Sequence, residues 1–359
     1  MALRVIQWAT GNVGRAAIEG VLAHPELELV GAWVHGAAKH GRDLGELCGI
    51  PPVGVRASAD ADALLALEAD CVVYSPLLAK PAELTRILAS GKNVVTPLGW
   101  FFPGASAGAA ELEATCRKAR VTLHGTGIHP GGITERFPLM LSALARRVRH
   151  VRAEEFSDIR SYRAEAVVRD VMLFGKPPEE AARSPMLRIL GAGFLQSIDM
   201  LAAGLGFDLD REKRARHEMA VATAPIATPV GTLAPGSVAA QRFTWEGTVR
   251  GEPVATVRVN WLMGQEHLDP PWGFGGKERF EVEIAGEPSL LVGFHGLHPA
   301  DAADAASLER NPGITATAMH CVNAIPAVCE AEPGIRSYLD LPLVCGRADP
   351  SLARAAGAA

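Results

Sequence analysis

Apolar residues open the chain as a short run, Leu3, Val5, Ile6 and Trp8, which stops at a turn containing Gly11 and Gly14. Beyond the turn, Ala17, Ile18, Val21 and Leu22 recur at helical spacing, and a second strand pattern follows over residues 27–34. The alternation continues with helix patterns at 61–69, 82–90 and 108–120 and strand patterns at 70–74, 93–96 and 121–124. Apolar strands alternating with amphipathic helices predict a parallel sheet covered on both faces. Near residue 150 the texture changes. Residues 150–156 alternate as a half-buried strand, 181–203 read as helix, 241–250 and 252–262 form a hairpin through Gly251, and 278–284 pairs with 289–294. A last helix runs over about 314–325, with Pro326 ending or kinking it, and the Ala-rich stretch 347–359 frays.

The pattern predicts an α/β fold in two parts. A dinucleotide-binding domain of doubly wound parallel type, a Rossmann domain, spans 1–135, and a helix over about 312–330 packs back on it. A second α+β domain with a mostly antiparallel sheet spans 136–311.

The turn Ala9-Thr10-Gly11-Asn12-Val13-Gly14 is an A-x-G-x-x-G variant of the dinucleotide fingerprint. Gly11 lets the backbone approach a pyrophosphate, Gly14 lets the helix pack closely on the strand, and the N–H groups at the helix start face the phosphates. The second strand ends without the acid that would hold a ribose 2′-hydroxyl. His35 and Lys39 follow instead, which favours NADP while leaving NAD possible. Ser75 and Pro76 follow a later strand, where such sheets bind ligands.

The 359 residues suffice for two domains, and the net charge of −5 without a basic block argues against a nucleic-acid partner. The six cysteines and eleven histidines are scattered without zinc spacing, so no metal is expected. No apolar run looks long enough to cross a membrane, and no leader is evident. The expected location is the cytoplasm.

Three segments carry a resemblance: the opening turn; Gly125-Thr126-Gly127-Ile128-His129-Pro130-Gly131, a G-T-G-x-x-P-G segment; and the late stretch Ala318-Met319-His320-Cys321-Val322-Asn323-Ala324-Ile325-Pro326 with Pro333-Gly334-Ile335. They resemble the dihydrodipicolinate-reductase-like superfamily, in the branch of 2,4-diaminopentanoate dehydrogenase and the native amine dehydrogenases. The resemblance implies a homodimer and reversible hydride transfer between NAD(P)H and a C=O or C=N carbon, in a pocket between the domains. The paired-histidine and lysine-containing motifs of dihydrodipicolinate reductases are absent. The amine dehydrogenases carry a catalytic glutamate after the strand equivalent to 93–96, whereas residues 97–104 hold no carboxylate.

Three residues are candidates for the proton donor: His129 in the G-T-G-x-x-P-G loop, Tyr162 beyond the first strand of the second domain, and Glu135, the first acid after the loop. Trp100, His124, Pro130 and Trp272 are expected to line an apolar substrate pocket. The leading expectation is an NAD(P)H-dependent reductase of a small to medium, largely apolar ketone or imine. The alternatives are an amine dehydrogenase that draws its acid from Glu135 or Glu155, and a non-catalytic NADP-binding sensor.

Overall fold

A computed structural model describes residues 2–104, 108–349 and 352. The rest of the fraying stretch, like residues 105–107, lies outside the described residues. The chain forms two compact units, Met1–Gly127 with Ile314–Ala359, and Ile128–Gly313. These divisions fall at 127/128 and 313/314, against the expected 135/136 and 311/312.

The first unit is built on seven strands: β1 (Leu3–Trp8), β2 (Leu27–Trp33), β3 (Ala57–Ser58), β4 (Cys71–Tyr74), β5 (Asn93–Thr96), β6 (Thr122–Gly125) and, from far along the chain, β14 (Gly334–Ile335). Their order is β14-β6-β5-β4-β1-β2-β3, and every pairing is parallel. Successive side chains of a strand point to opposite faces. Val5 accordingly joins the core formed with the helices Asn12–Ala23 and Pro312–Glu330, while Ile6 and Trp8 join the one formed with Pro81–Ala89 and Ala109–Ala119. The late helix buries Ala318, Cys321, Val322 and Ile325 in the first of these cores. It runs through Pro326 to Glu330, so the proline does not end it.

The helix expected over 61–69 stops at Leu65. Two short elements escaped the pattern, β3 and the helix Leu44–Cys48. Both are too brief to establish a period.

The second unit holds β7 (Arg146–Asp158), β8 (Arg214–Ala222), β9 (Val238–Val249), β10 (Glu252–Leu262), β11 (Leu268–Asp269), β12 (Arg279–Glu287) and β13 (Leu290–Phe294), in the order β11-β8-β9-β10-β7-β12-β13. All pairings are antiparallel except β7–β10. The hairpin between β9 and β10 turns at Arg250 and Gly251, with φ of 53° and 83°. Two successive positive φ values match the twist of the flanking strands. β8 was missed because its exposed residues, Arg214, Arg216 and Glu218, dilute the apolar signal. The expected helix over 181–203 is two, Pro178–Ala182 and Met186–Leu205, split where Pro185 precedes the second.

Met186–Leu205 is, by length and composition, apolar enough to cross a membrane, which corrects the expectation that no such run exists. Its Phe194, Ile198 and Leu201 pack into a core with Phe243, Trp245 and Val257, while Ile189 remains exposed.

Candidate active site

In the first unit the strand order reverses between β1 and β4, the kind of switch point outside which open α/β sheets bind ligands. Ala9 leaves β1 and Ser75 leaves β4 at this point. Gln7 ties the two together: its Nε2 donates to Ala9 O at 2.9 Å and to Ser75 Oγ at 2.9 Å. Gln7 Oε1 is buried without a partner. No side chain caps the N-terminus of Asn12–Ala23, so its first N–H groups remain available to an anion.

The two glycines act differently. A Cβ on Gly11 would meet nothing within 4 Å, whereas one on Gly14 would lie 2.1 Å from Ala9 O. Gly14 is needed by the turn itself, and Gly11 leaves space above it. Ala9, where the fingerprint has its first glycine, sits at φ 78°. Lys39 reaches back to this turn, its Nζ donating to Thr10 Oγ1 at 3.2 Å and Thr10 O at 3.4 Å. His35 is exposed and tilts against Trp33, which stacks on Trp8. Pro76 is half-buried beside the exposed Leu77 and Leu78. An open backbone, an uncapped helix start and a nearby ammonium fit a dinucleotide phosphate group.

Of the expected pocket residues in this unit, His124 lies within β6 and Trp100 packs beside it. His124 is fully buried, hydrogen-bonded through Nδ1 to Arg336 O at 2.7 Å and edge-on to Tyr338. Trp100, at φ 56°, packs partly buried on the core around Val94 and Leu123. The main chain at 99–101 crosses directly over Gly125, where a Cβ would lie 2.1 Å from Gly99 O. Thr126 bonds His320 Nδ1 (3.1 Å) and Tyr338 OH, and Tyr338 OH lies 2.9 Å from the same Nδ1.

The second unit holds a group of ionisable side chains set among aromatic rings. Along β7, Val151, Ala153 and Glu155 share the face that packs into the core, while Arg152 and Glu154 share the opposite, ion-paired face. Glu155 is thus a carboxylate on an apolar face, flanked in register by Val259 on β10 and Phe280 on β12. Its Oε1 accepts from Ser157 Oγ at 2.6 Å and Trp261 Nε1 at 3.1 Å. Burial raises its pKa, against those two bonds. The side chain nevertheless keeps 14% of its surface open.

His129 Nε2 lies 3.5 Å from Glu155 Oε2, but the approach lacks hydrogen-bond geometry and both ring nitrogens are without a partner. Its ring packs 4.8 Å from that of Phe194 and 5.2 Å from that of Phe280. Burial, with a contribution from His298, lowers its pKa to about 3. That shift keeps the His129 imidazole neutral at neutral pH. His298 stacks on the other side of the cluster, 4.7 Å from Phe280, with its pKa lowered to about 4, chiefly by burial.

Tyr162 stays protonated, its pKa raised by burial and then by Glu155 and Glu278. Glu278, which sequence reasoning missed, accepts from Asp158 N at 2.6 Å, and burial raises its pKa to about 7. Glu135 stands apart. It lies in the π-helical turn Gly132–Arg136, with no surface exposed, and its Oε1 accepts from Ser197 Oγ. Its other oxygen has no partner, and burial raises its pKa to about 8. Such turns recur at functional sites, but a fully enclosed carboxyl cannot touch a substrate. Pro130 is half-buried beside His129. Trp272 lies under the Arg242 guanidinium, 4.6 Å from the ring centre, and packs on the core around Phe274.

The sequence offered Glu155 only as an alternative source of the acid; its place on the apolar face of β7 is shown by the structure. No sequence signal brought Phe280, His298 or Glu278 beside it, because that neighbourhood is made by strand register across more than a hundred residues.

Comparison with known proteins supplies the family. Residues 5–96 match the family model "Dihydrodipicolinate reductase, N-terminus", and 133–264 match "2,4-diaminopentanoate dehydrogenase C-terminal domain". An amine dehydrogenase of Streptomyces virginiae is 32% identical over 95% of this chain and 96% of its own. A 2,4-diaminopentanoate dehydrogenase of Acetoanaerobium sticklandii is 23% identical over 66% of this chain and 61% of its own. In fold, the chain is similar to an amine dehydrogenase structure from Mycobacterium smegmatis, with a TM-score of 0.75, 24% identity and coverage of 97% and 98% of the two chains.

Proposed function

The chain belongs to the amine dehydrogenase family, and from that premise we propose that it interconverts a largely apolar ketone or aldehyde and the matching primary amine, with ammonia and NADP(H). That it is an NAD(P)-dependent oxidoreductase follows from the family. In the synthetic direction the balance is carbonyl, ammonia, NADPH and a proton giving amine, NADP+ and water. The nicotinamide supplies the hydride. The protein must then take a proton from the incoming nitrogen and return one to the departing hydroxyl.

The observation that carries this reading is Glu155. It supplies the carboxyl that residues 97–104 lack, on an apolar sheet face, with one oxygen held by Ser157 and Trp261 and the other beside neutral His129. Burial raises the pKa of Glu155, which favours the protonated form a general acid needs. In this reading Ser157 and Trp261 orient Glu155, His129 packs beside it, and the Tyr162 hydroxyl donates to the substrate heteroatom. Glu135 positions the turn that follows His129. Lys39 beside Thr10, and the absence of an acid at the end of β2, support NADP over NAD. A homodimer in the cytoplasm completes the reading.

The test is NADPH oxidation across aldehydes, ketones and cyclic imines, each with and without ammonium. Ammonium-dependent turnover is expected. Glu155→Gln should lower kcat by about a hundredfold or more while leaving NADPH affinity unchanged. Turnover independent of ammonium would instead identify a carbonyl or imine reductase, and tight NADPH binding without turnover would identify a sensor. Tighter binding of NADH than NADPH in a titration would reverse the nucleotide preference.

A further inference from the structure

A groove of about 720 Å³ lies along the outer side of the helix Met186–Leu205 in the second unit. That volume falls within the range of about 300–1,000 Å³ usual for small-molecule sites. Its wall is apolar, formed by Leu187, Leu195 and the edge of Trp245. Gly191 lets the helix pack closely over the buried indole, since a Cβ there would lie 2.7 Å from Trp245 Nε1. That nitrogen already donates to Leu187 O at 3.3 Å, so the floor asks nothing polar of a ligand. The only charged side chains lining the groove are Arg183 and Arg188. Both are exposed, and neither guanidinium has a carboxylate or carbonyl partner among the described residues.

An apolar trough with two uncompensated arginines selects by chemistry. It favours an apolar chain ending in an anion, because guanidinium and carboxylate match in bidentate geometry, and it disfavours a cation of the same shape. We propose that this groove binds a medium-chain amphiphilic carboxylate, with the chain along Leu187 and Leu195 and the carboxylate met by Arg183 and Arg188. The site is separate from the Glu155 cluster and does not depend on the reaction assigned to it.

Titration calorimetry on the full chain with decanoate, and with decylammonium as the control, tests this. Saturable decanoate binding at one site per chain is expected, with decylammonium at least tenfold weaker. The double variant Arg183→Ala/Arg188→Ala should weaken decanoate at least tenfold. Ala192 is exposed beside the groove, so Ala192→Trp should fill it and abolish binding without altering the melting temperature or NADPH turnover. Decanoate binding untouched by both variants, or equal binding of the ammonium analogue, overturns the proposal. A failure to bind decanoate, with concentration-dependent sedimentation that Ala192→Trp abolishes, also overturns it and makes the groove a contact between copies.

Discussion

The two units carry chemistry in opposite ways. In the first, the working parts are main-chain groups and the absence of side chains: an uncapped helix start, an open space above Gly11 and a turn that Gly14 allows to close. Little there titrates. In the second, the working parts are ionisable side chains held among Phe194, Phe280 and Trp261, where burial rather than pairing sets their protonation. A backbone site tolerates changes of charge and fails on changes of volume. A buried ionisable site behaves in the reverse way, and its stability must depend on pH.

The comparison is broken most directly at the glycines. Gly14→Ala forces a Cβ against Ala9 O at 2.1 Å, so the turn must open. The expected loss is about 3 kcal/mol or more in denaturant unfolding, together with NADPH binding. Gly11→Ala meets nothing, so it should leave unfolding unchanged while weakening NADPH at least tenfold. A Gly11→Ala protein that binds NADPH normally would remove the turn from the site.

The second unit is sharpened by pH. Glu135 has a pKa raised from 4.5 to about 8. Between those values the folded chain keeps a proton that the unfolded chain has released, so stability falls as pH rises from about 5 to 8, by of order 3 kcal/mol. His129 and His298 act at the other end. Their pKa values are lowered from 6.5 to about 3 and about 4, so the unfolded chain gains protons first and stability falls as pH drops below about 6.5. Glu278, raised from 4.5 to about 7, adds to the loss on the alkaline side, so thermal melts from pH 4 to 9 should show stability falling from about pH 6.5 to 8, and Glu135→Gln should make that alkaline arm shallower without abolishing it. An unchanged arm in that variant would mean that Glu135 is not the group responsible.

The smallest expected effect lies at Ala9, held at φ 78°. A left-handed conformation costs a residue with a Cβ about 1 kcal/mol, so Ala9→Gly should stabilise the protein by about that much, read as a rise in the unfolding midpoint with unchanged NADPH affinity. No gain would show that the turn holds alanine without strain.

The same division explains what could be read in advance. The first unit was legible because its site follows from local pattern: strand, glycine turn and helix stand consecutively within twenty-three residues. Gln7 was not, since a polar residue inside a strand gives no hint that it will bridge Ala9 and Ser75. In the second unit the hairpin at Gly251 and the strand around 150–156 were legible from alternation, and β8, with its polar outer face, was not. His129 was found in its loop, whereas the rings that desolvate it, from residues 194 and 280, were not.

The chain leaves the first unit at Gly127 and re-enters it at Ile314. During synthesis, strands β1–β6 emerge long before the helix Pro312–Glu330 and β14, which cover one face and close one edge of their sheet. The second unit is continuous, so it can complete its own core first. The first must wait on the ribosome with Val5, Ile18 and Leu29 missing the partners supplied by Ala318, Val322 and Ile325. That interval is when the nascent sheet exposes sticky surface to chaperones and to neighbouring chains. A stall anywhere between residues 128 and 313 would therefore leave the nucleotide-binding half, though already fully translated through its glycine turn, as the aggregation-prone part.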